Sequence, residues 1–85
     1  STLYQNYPNP FNPETVIEFT IPQSSRIQLV IYDIQGKAVE TIVNHELTAG
    51  KYTADWNASK YSSGVYFYKL TADGFTDTKR MVLVK

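Results

Sequence analysis

Few side chains in this sequence have the chemistry of a catalytic site, and their spacing keeps them apart. The one histidine, His45, stands beside Glu46 in a polar stretch, residues 44–50, that we predict to be a connection between strands. Nucleophilic catalysis needs a base and an orienting group next to the nucleophile, but the serines fall in turn-like clusters. A single histidine in a loop is usually a solvated side chain. We therefore predict no catalytic residue.

Carboxylates could act as acid and base or bind a metal ion, but local structure accounts for most of them. Asp33 and Asp73 lie in predicted turns, and Asp55 falls on the polar face of a predicted strand. Residues 71–77 hold only two carboxylates, whereas a calcium loop needs several acidic residues at short intervals. There is no cysteine and no glycine-rich phosphate loop. We predict neither a metal site nor a cofactor.

Length and charge limit the remaining classes of protein. A chain of 85 residues without cysteine forms one domain that packing alone must stabilise. Eight basic and eight acidic residues cancel, and no run of like charge predicts binding to nucleic acid or to an anionic membrane. No apolar stretch is as long as a membrane span. Since the chain opens without a signal peptide, we expect it to be part of a longer protein that is targeted from elsewhere.

Three of the four prolines lie between residues 5 and 13. Proline fixes φ and has no N–H, so we expect residues 1–14 to form a rigid lead outside the sheet ladder, with Tyr7 and Phe11 docking on a neighbouring surface. The alternative is an ordinary proline-rich linker. We predict this lead, followed by a sandwich of residues 15–85. The residues assigned to the motif of the lead are Pro8, Asn9, Pro10, Phe11, Asn12 and Pro13.

Alternation with a period of two dominates the rest of the chain, and no window longer than about ten residues has a helical repeat. It predicts strands at 15–21, 26–32, 37–43, 51–56, 65–72 and 75–84. Gly36 closes one hairpin turn, Asp73 and Gly74 form a type I′ candidate, and Gly50 ends the polar connection. Trp56 should anchor the core. The pattern predicts an all-β fold, an immunoglobulin-like antiparallel β-sandwich of about seven strands.

The aromatic residues allow one alternative function. Tyr32, Tyr61, Val65 and Phe67 could form an open face on which sugar rings stack, as in a carbohydrate-binding module. The competing interpretation is that these side chains cover the second face of the sheet or pack beneath the lead. A structural accessory module of a secreted enzyme is a further possibility that the residues leave open.

Several blocks of the sequence together resemble the C-terminal sorting domains of the type IX secretion system, type A of the Por secretion family. Residues 3–15, followed by Ile17, Phe19 and Pro22, are similar to the opening of those domains. Later blocks with the same similarity are residues 31–33 with Gly36, residues 49–52 with Trp56, and residues 64–70 with Lys79, Val82 and Lys85. The resemblance covers nearly the whole chain, and the proline-rich opening is its most specific part.

The resemblance implies a non-catalytic domain at the C-terminus of a larger cargo protein in Bacteroidetes and related bacteria. It implies that the cargo passes through the periplasm and that the outer-membrane translocation machinery recognises this domain, so that the cargo is secreted or held at the outer cell surface. The implied partners are that machinery and the upstream cargo in the same chain, with no nucleic acid and no small-molecule substrate.

We expect the machinery to recognise the closing hairpin, which is predicted from strands 65–72 and 75–84. A sorting domain must offer a surface that differs little between cargos, and an exposed hairpin offers both edge groups and charges. Gly64 would set the register and Tyr66 would anchor inward. Deleting residues 81–85 should then trap a cargo in the periplasm. The predicted recognition residues are Gly64, Tyr66, Lys69, Lys79, Arg80, Val82 and Lys85.

Overall fold

The computed structural model describes residues 1–85 and contains seven strands. They are β1 (Thr2–Leu3), β2 (Glu14–Ile21), β3 (Ser25–Tyr32), β4 (Ala38–Leu47), β5 (Gly50–Asn57), β6 (Gly64–Ala72) and β7 (Phe75–Leu83). One sheet has the order β1-β2-β5 and the other β4-β3-β6-β7, with every pair antiparallel. These orders match the A-B-E and C′-C-F-G sheets of immunoglobulin-like domains, which confirms the predicted fold. None of the chain forms a helix with the length and apolarity that a membrane span requires.

Alternate side chains of the strands fill the space between the two sheets. The predicted apolar faces of β2, β3 and β6 are buried in a single cluster of 17 residues. Their members include Ile17, Phe19, Ile21, Ile27, Leu29, Ile31, Tyr66, Tyr68 and Leu70. Trp56 is buried in the same cluster, so the prediction that it anchors the core between the layers is confirmed. Because β2, β3 and β6 each have one apolar face, burying the inner faces of both sheets requires this two-layer arrangement.

Both predicted hairpin turns are present, but one has a different geometry. The Asp33 carboxylate accepts hydrogen bonds from the amides of Gln35 and Lys37 at 2.9 Å each. Asp73 and Gly74 form a two-residue turn between β6 and β7. No residue other than glycine has a positive φ, so Asp73 cannot adopt the conformation that a type I′ turn requires. A negative φ followed by Gly74 at φ 70° is the sequence of signs found in type II turns.

The predicted connection at residues 44–50 is wrong over most of its length. β4 continues to Leu47, which leaves only Thr48 and Ala49 between β4 and β5. His45 is therefore an exposed strand residue opposite Ile27, and β4, with 10 residues, is longer than β6 with 9. β4 is the edge strand of its sheet, where polar side chains face water. Its sequence at 44–46 therefore looks like a loop, although pairing with β3 makes it a strand.

Candidate functional site at the closing hairpin

The lead, residues 1–14, begins with β1 and then crosses from one sheet to the other. β1 pairs with the end of β2, and Tyr7 forms an isolated bridge with Val16. Phe11 then forms a parallel bridge with Leu83 of β7. The lead therefore joins the ladder through β1 and through these two bridges, and Glu14 already belongs to β2, so the prediction that it stays outside the ladder is wrong at these positions. The three prolines themselves make no ladder pair, as expected for residues without an N–H.

The two aromatic side chains of the lead have different environments. Phe11 is only 2% exposed, and its ring centroid lies 5.8 Å from that of Trp56. Tyr7 is 51% exposed. Phe11 therefore packs into the core, whereas the ring of Tyr7 faces solvent. The backbone of Tyr7 holds the lead through its two hydrogen bonds with Val16, at 2.9 and 3.0 Å.

Hydrogen bonds from the lead cover half of the outer edge of β7. The amide of Phe11 donates to the Val82 carbonyl at 3.0 Å, and the amide of Val84 donates to the Phe11 carbonyl at 2.9 Å. The amide of Val82 donates to Asn9 Oδ1 at 3.0 Å. In addition, Nε2 of Gln5 donates to the carbonyl of residue 80 at 2.8 Å. The expectation of an exposed backbone edge is therefore wrong for residues 80–84, where the lead already occupies it.

A buried polar network joins the lead to β6. The hydroxyl of Tyr68 accepts a hydrogen bond from the Asn6 amide at 2.7 Å and donates to the Tyr4 carbonyl at 2.8 Å. The Asn6 side chain donates to Thr15 Oγ1 at 2.9 Å and to the Pro8 carbonyl at 3.2 Å. Asn6 is only 2% exposed, and every buried side-chain polar atom has a partner. The network therefore fixes the lead without an unsatisfied polar group.

Burial changes the acidity of the tyrosine at the centre of this network. Removal of Tyr68 from water raises its pKa to about 12, and the nearby carboxylate of Asp77 acts in the same direction. The hydrogen bond from Asn6 acts in the opposite direction because it stabilises the anion. The phenol is therefore neutral over the physiological pH range and can donate its proton to the Tyr4 carbonyl.

The sequence prediction did not identify Asn6, Thr15 or Tyr68 as members of the site. One observation could have led to them: Thr15 shares the apolar face of β2 with Ile17 and Phe19. A hydroxyl at a buried position needs a hydrogen-bond partner. The nearest polar residues in the sequence are those of the lead.

At the beginning of β6, Gly64 and Tyr66 position the closing hairpin. Gly64 starts the strand with φ 152°, and Tyr66 is buried, which confirms its predicted inward orientation. The Tyr66 hydroxyl donates to the Ser62 carbonyl at 2.7 Å. A tyrosine near the start of this strand that bonds to backbone a few residues upstream is the tyrosine corner of immunoglobulin-like sandwiches.

Glu40 forms a second polar contact on the other side of the core. Its Oε1 accepts hydrogen bonds from Trp56 Nε1 at 3.1 Å and from the Tyr61 hydroxyl at 3.0 Å. Desolvation raises the pKa of Tyr61, and the hydrogen bond to Glu40 raises that pKa further. Tyr61 also packs against Trp56, with ring centroids 5.6 Å apart. The tyrosine is thus part of an internal contact between β4, β5 and the loop before β6.

The four residues proposed for sugar stacking do not form one surface. Tyr32, Val65 and Phe67 lie on the outer face of the four-stranded sheet, where Tyr32 pairs with Phe67. All three are half-buried. Tyr61 is held at the end of the sandwich by Glu40 and by the Val39 carbonyl, to which its hydroxyl donates at 3.1 Å. An aromatic platform made of all four residues is therefore absent.

The basic residues predicted for recognition lie in three places. Lys69 and Arg80 project from the outer face of the four-stranded sheet, opposite to the buried face of β6 and β7, and Val82 lies next to Arg80 on the same face. Lys79 is half-buried on the other face, where it pairs with Tyr68. Lys85 lies at the end of the sandwich, where its Nζ donates to the Ser59 carbonyl at 2.5 Å. The structure thus brings together Lys69, Arg80 and Val82 only.

The other motif residues hold the chain around this site or lie away from it. The carbonyl of Pro13 accepts a hydrogen bond from Ala58 at 2.9 Å, whereas Pro10 and Asn12 are exposed. Gly36 lies in the turn between β3 and β4 with φ 86°, and Gly50 opens β5 opposite Ile21. No group of three or more metal-binding side chains occurs in the chain.

Comparison with known proteins identifies the family. The family model described as the secretion system C-terminal sorting domain matches residues 5–85. Searches of curated proteins and of solved structures found no match. The family match includes most of the lead and all of β2 to β7. The chain therefore belongs to the family of secretion system C-terminal sorting domains, which are the sorting signals of type IX secretion.

Proposed function

We propose that this chain is a folded, non-catalytic sorting signal and that the secretion machinery binds the outer face of its closing hairpin. The observation that carries this proposal is the family match over residues 5–85. A type IX sorting domain implies a cargo, a secretion machinery and export to the cell surface or beyond. The geometry adds a hairpin of β6 and β7 whose register sets the order of the side chains along its outer face.

The contacts of the lead support separate roles for two parts of the chain. Residues 15–85 are the body that the machinery recognises, and residues 1–14 connect this body to a cargo upstream. The hydrogen bonds of Phe11 and Asn9 to β7 support this assignment because they keep the connection against the hairpin. The cargo passes through the periplasm before the domain is recognised at the outer membrane. Recognition requires no cofactor, nucleic acid or small-molecule substrate.

Lys69, Arg80 and Val82 are the centre of the proposed contact surface. In the register of β6 and β7, Lys69 pairs with Thr78, and Arg80 pairs with Phe67, so the two cations are diagonal neighbours. The only ion pair of the chain joins Lys51 to Glu18 on the other sheet, so neither cation is neutralised by a partner. Two free charges at fixed spacing beside an apolar side chain suit an acidic, partly apolar site on the machinery.

The other predicted recognition residues support this surface indirectly. Gly64 and Tyr66 set the start of β6 through the bond to Ser62, so we propose that they position the hairpin. Lys79 contributes to the packing beside Tyr68, and Lys85 ties the end of the chain to the preceding loop. We therefore expect substitutions of these residues to act on secretion through the shape of the hairpin.

Secretion of a cargo that carries this chain tests the proposal. Deleting residues 1–85 should retain the cargo in the periplasm, and the double variant Lys69→Ala/Arg80→Ala should do the same with the domain still folded. Lys37→Ala is the matched control, since it removes an exposed cation from the turn between β3 and β4. Cell fractionation with immunoblotting measures the distribution. Normal export without residues 1–85 contradicts the function, and normal export of the double variant alone contradicts the surface.

Deleting only residues 81–85 does not separate these possibilities. Met81 and Leu83 belong to the buried core, and the backbone of Val82 and Val84 holds the lead. The deletion removes part of the core and the anchor of the lead at once. A retained cargo would then report an unfolded domain as readily as a lost contact.

A further inference from the structure

The outer edges of the two sheets differ in how far they are protected against pairing with another strand. β1 has only two residues, and the lead covers part of β7. β4 is irregular, with two shifts in its register against β3, and such bulges discourage further pairing. β5 pairs with β2 over eight consecutive residues without a shift and has no strand on its other side. β5 therefore presents the one long, regular and uncovered edge.

The backbone groups on this edge can be assigned from the register. Val16 exchanges both its hydrogen bonds with Tyr7 of the lead, so its N–H and C=O point away from β5. Asp55, the residue opposite Val16, consequently points its own N–H and C=O away from β2. The same orientation recurs at every second residue. The residues with free edge groups are Lys51, Thr53, Asp55 and Asn57.

The side chains of these residues are self-complementary. Lys51, Thr53 and Asp55 are exposed on one face of β5. Lys51 and Asp55 carry opposite charges, and each is two residues away from Thr53. If two β5 strands meet antiparallel with Thr53 opposite Thr53, each Lys51 lies opposite Asp55 of the second copy. Opposite charges and paired threonines are both favourable in cross-strand positions.

We propose that two copies of this chain pair antiparallel through the edges of β5, with Thr53 at the two-fold axis. The pairing joins the two three-stranded sheets into one sheet with the order β1-β2-β5-β5-β2-β1. The residues that meet at 51, 53 and 55 are those whose N–H and C=O face the edge, so each pair can exchange two backbone hydrogen bonds. A shift by two residues keeps these bonds but separates Lys51 from Asp55, so the charges select the register.

The proposed interface is compatible with the other contacts of these side chains. Lys51 already pairs with Glu18 at 2.6 Å, but its side chain is 68% exposed, so its ammonium group can also meet Asp55 of a second copy. The interface lies on the three-stranded sheet, whereas Lys69 and Arg80 lie on the four-stranded sheet. The pairing therefore goes beyond the proposed function in secretion and leaves the proposed recognition surface free.

Charge reversal on the 85-residue chain tests the pairing by sedimentation equilibrium from micromolar to millimolar concentration. Asp55→Lys places lysines opposite each other, and Lys51→Asp places aspartates opposite each other. Each variant alone should dimerise about tenfold or more weakly than the unaltered chain, because two attractive pairs become repulsive. An equimolar mixture of the two variants restores both attractive pairs and should form heterodimers. Both substitutions are at exposed positions, and circular dichroism checks that the variants fold.

Thr53→Pro provides a test that does not depend on charge. Proline removes the N–H that points to the free edge and leaves the hydrogen bonds to β2 intact, so the variant should be monomeric. An unaltered chain that stays monomeric at millimolar concentration overturns the proposal. Dimers that persist in Asp55→Lys, or a mixture of the charge variants that does not associate, also overturn it, because the dimer then uses another surface or register.

Discussion

The two long sides of this sandwich are closed in different ways. On one side the lead bridges the two sheets, with Tyr7 paired to β2 and Phe11 paired to β7. On the other side β4 and β5 belong to different sheets and do not pair, and the chain connects them through Thr48 and Ala49. The first side is sealed by backbone pairing, and the second is held by side chains such as Glu40 and Trp56.

The difference shows how a segment rich in proline can protect a sheet. A covering strand with free N–H groups on its outer side would itself become a new edge. Prolines 8, 10 and 13 have no N–H, so the lead can accept and donate a few bonds toward β7 while offering little to a further strand. The open side lacks such a cover: two bulges discourage pairing at β4, whereas the edge of β5 is regular and stays open.

Removing the Phe11 ring should have the largest effect, because it opens the sealed side. We expect Phe11→Ala to lower the free energy of unfolding by about 3 to 5 kcal/mol, since a fully buried ring leaves a cavity beside Trp56. Chemical denaturation measures this change. Hydrogen exchange at the amides of Val82 and Val84 should become faster at the same time, because both donate to the lead.

Tyr7→Ala is the matched control for this prediction. It removes an aromatic ring from the same lead, but the ring is exposed, so the free energy of unfolding should change by less than about 1 kcal/mol. If both variants are equally stable, the lead does not seal the sheet, and the contrast between the two sides disappears.

Loss of the Tyr68 hydroxyl should have an intermediate effect on the sealed side. Tyr68→Phe leaves the Asn6 amide and the Tyr4 carbonyl without their partner, which should cost about 1 to 3 kcal/mol at neutral pH. Tyr32→Phe is the control, since Tyr32 lies on the outer face of the four-stranded sheet. If Tyr68→Phe and Tyr32→Phe lower the free energy of unfolding equally, the hydrogen bonds of the buried network do not stabilise the fold.

The same variant makes a prediction about pH with a definite sign. The pKa of Tyr68 is raised from its ordinary value of 10.0 to about 12 in the folded chain. The neutral phenol therefore contributes fully to the free energy of unfolding below pH 10, and this contribution is lost as the pH rises through 12. The difference in unfolding free energy between the unaltered chain and Tyr68→Phe should therefore narrow between pH 10 and 12. A constant difference over this range would contradict the burial of the phenol.

The smallest effect is expected on the open side. Glu40→Gln keeps an oxygen acceptor but removes its charge, and it should lower the free energy of unfolding by about 1 kcal/mol through weaker bonds to Trp56 and Tyr61. Thermal unfolding measures the change against Glu46→Gln, which alters an exposed residue of the same strand. If Glu40→Gln lowers the free energy of unfolding by more than Tyr68→Phe does, the proposed contrast between the two sides is wrong.

Features that depend on neighbours along the chain were predictable from the sequence. The alternation at Ile17, Phe19 and Ile21 gave the buried face of β2, and the turn at Asp33 followed from its local hydrogen bonds. The family resemblance rested on similar blocks of local sequence, and the family model confirms it over residues 5–85. The candidate site was predictable in part, since the closing hairpin and the inward Tyr66 were expected.

Features that depend on distant partners were decided by the tertiary structure. Residues 44–47 became strand because β3 offered a pairing edge, although their side chains are those of a loop. Asn6 became a core residue because Tyr68, 62 positions away, supplied a buried hydroxyl. The alternation of side chains fixes which face of a strand is apolar, but it carries no information about which strands or segments will lie beside it. Only the closure of the whole sandwich determined that the lead seals one edge and leaves β5 open.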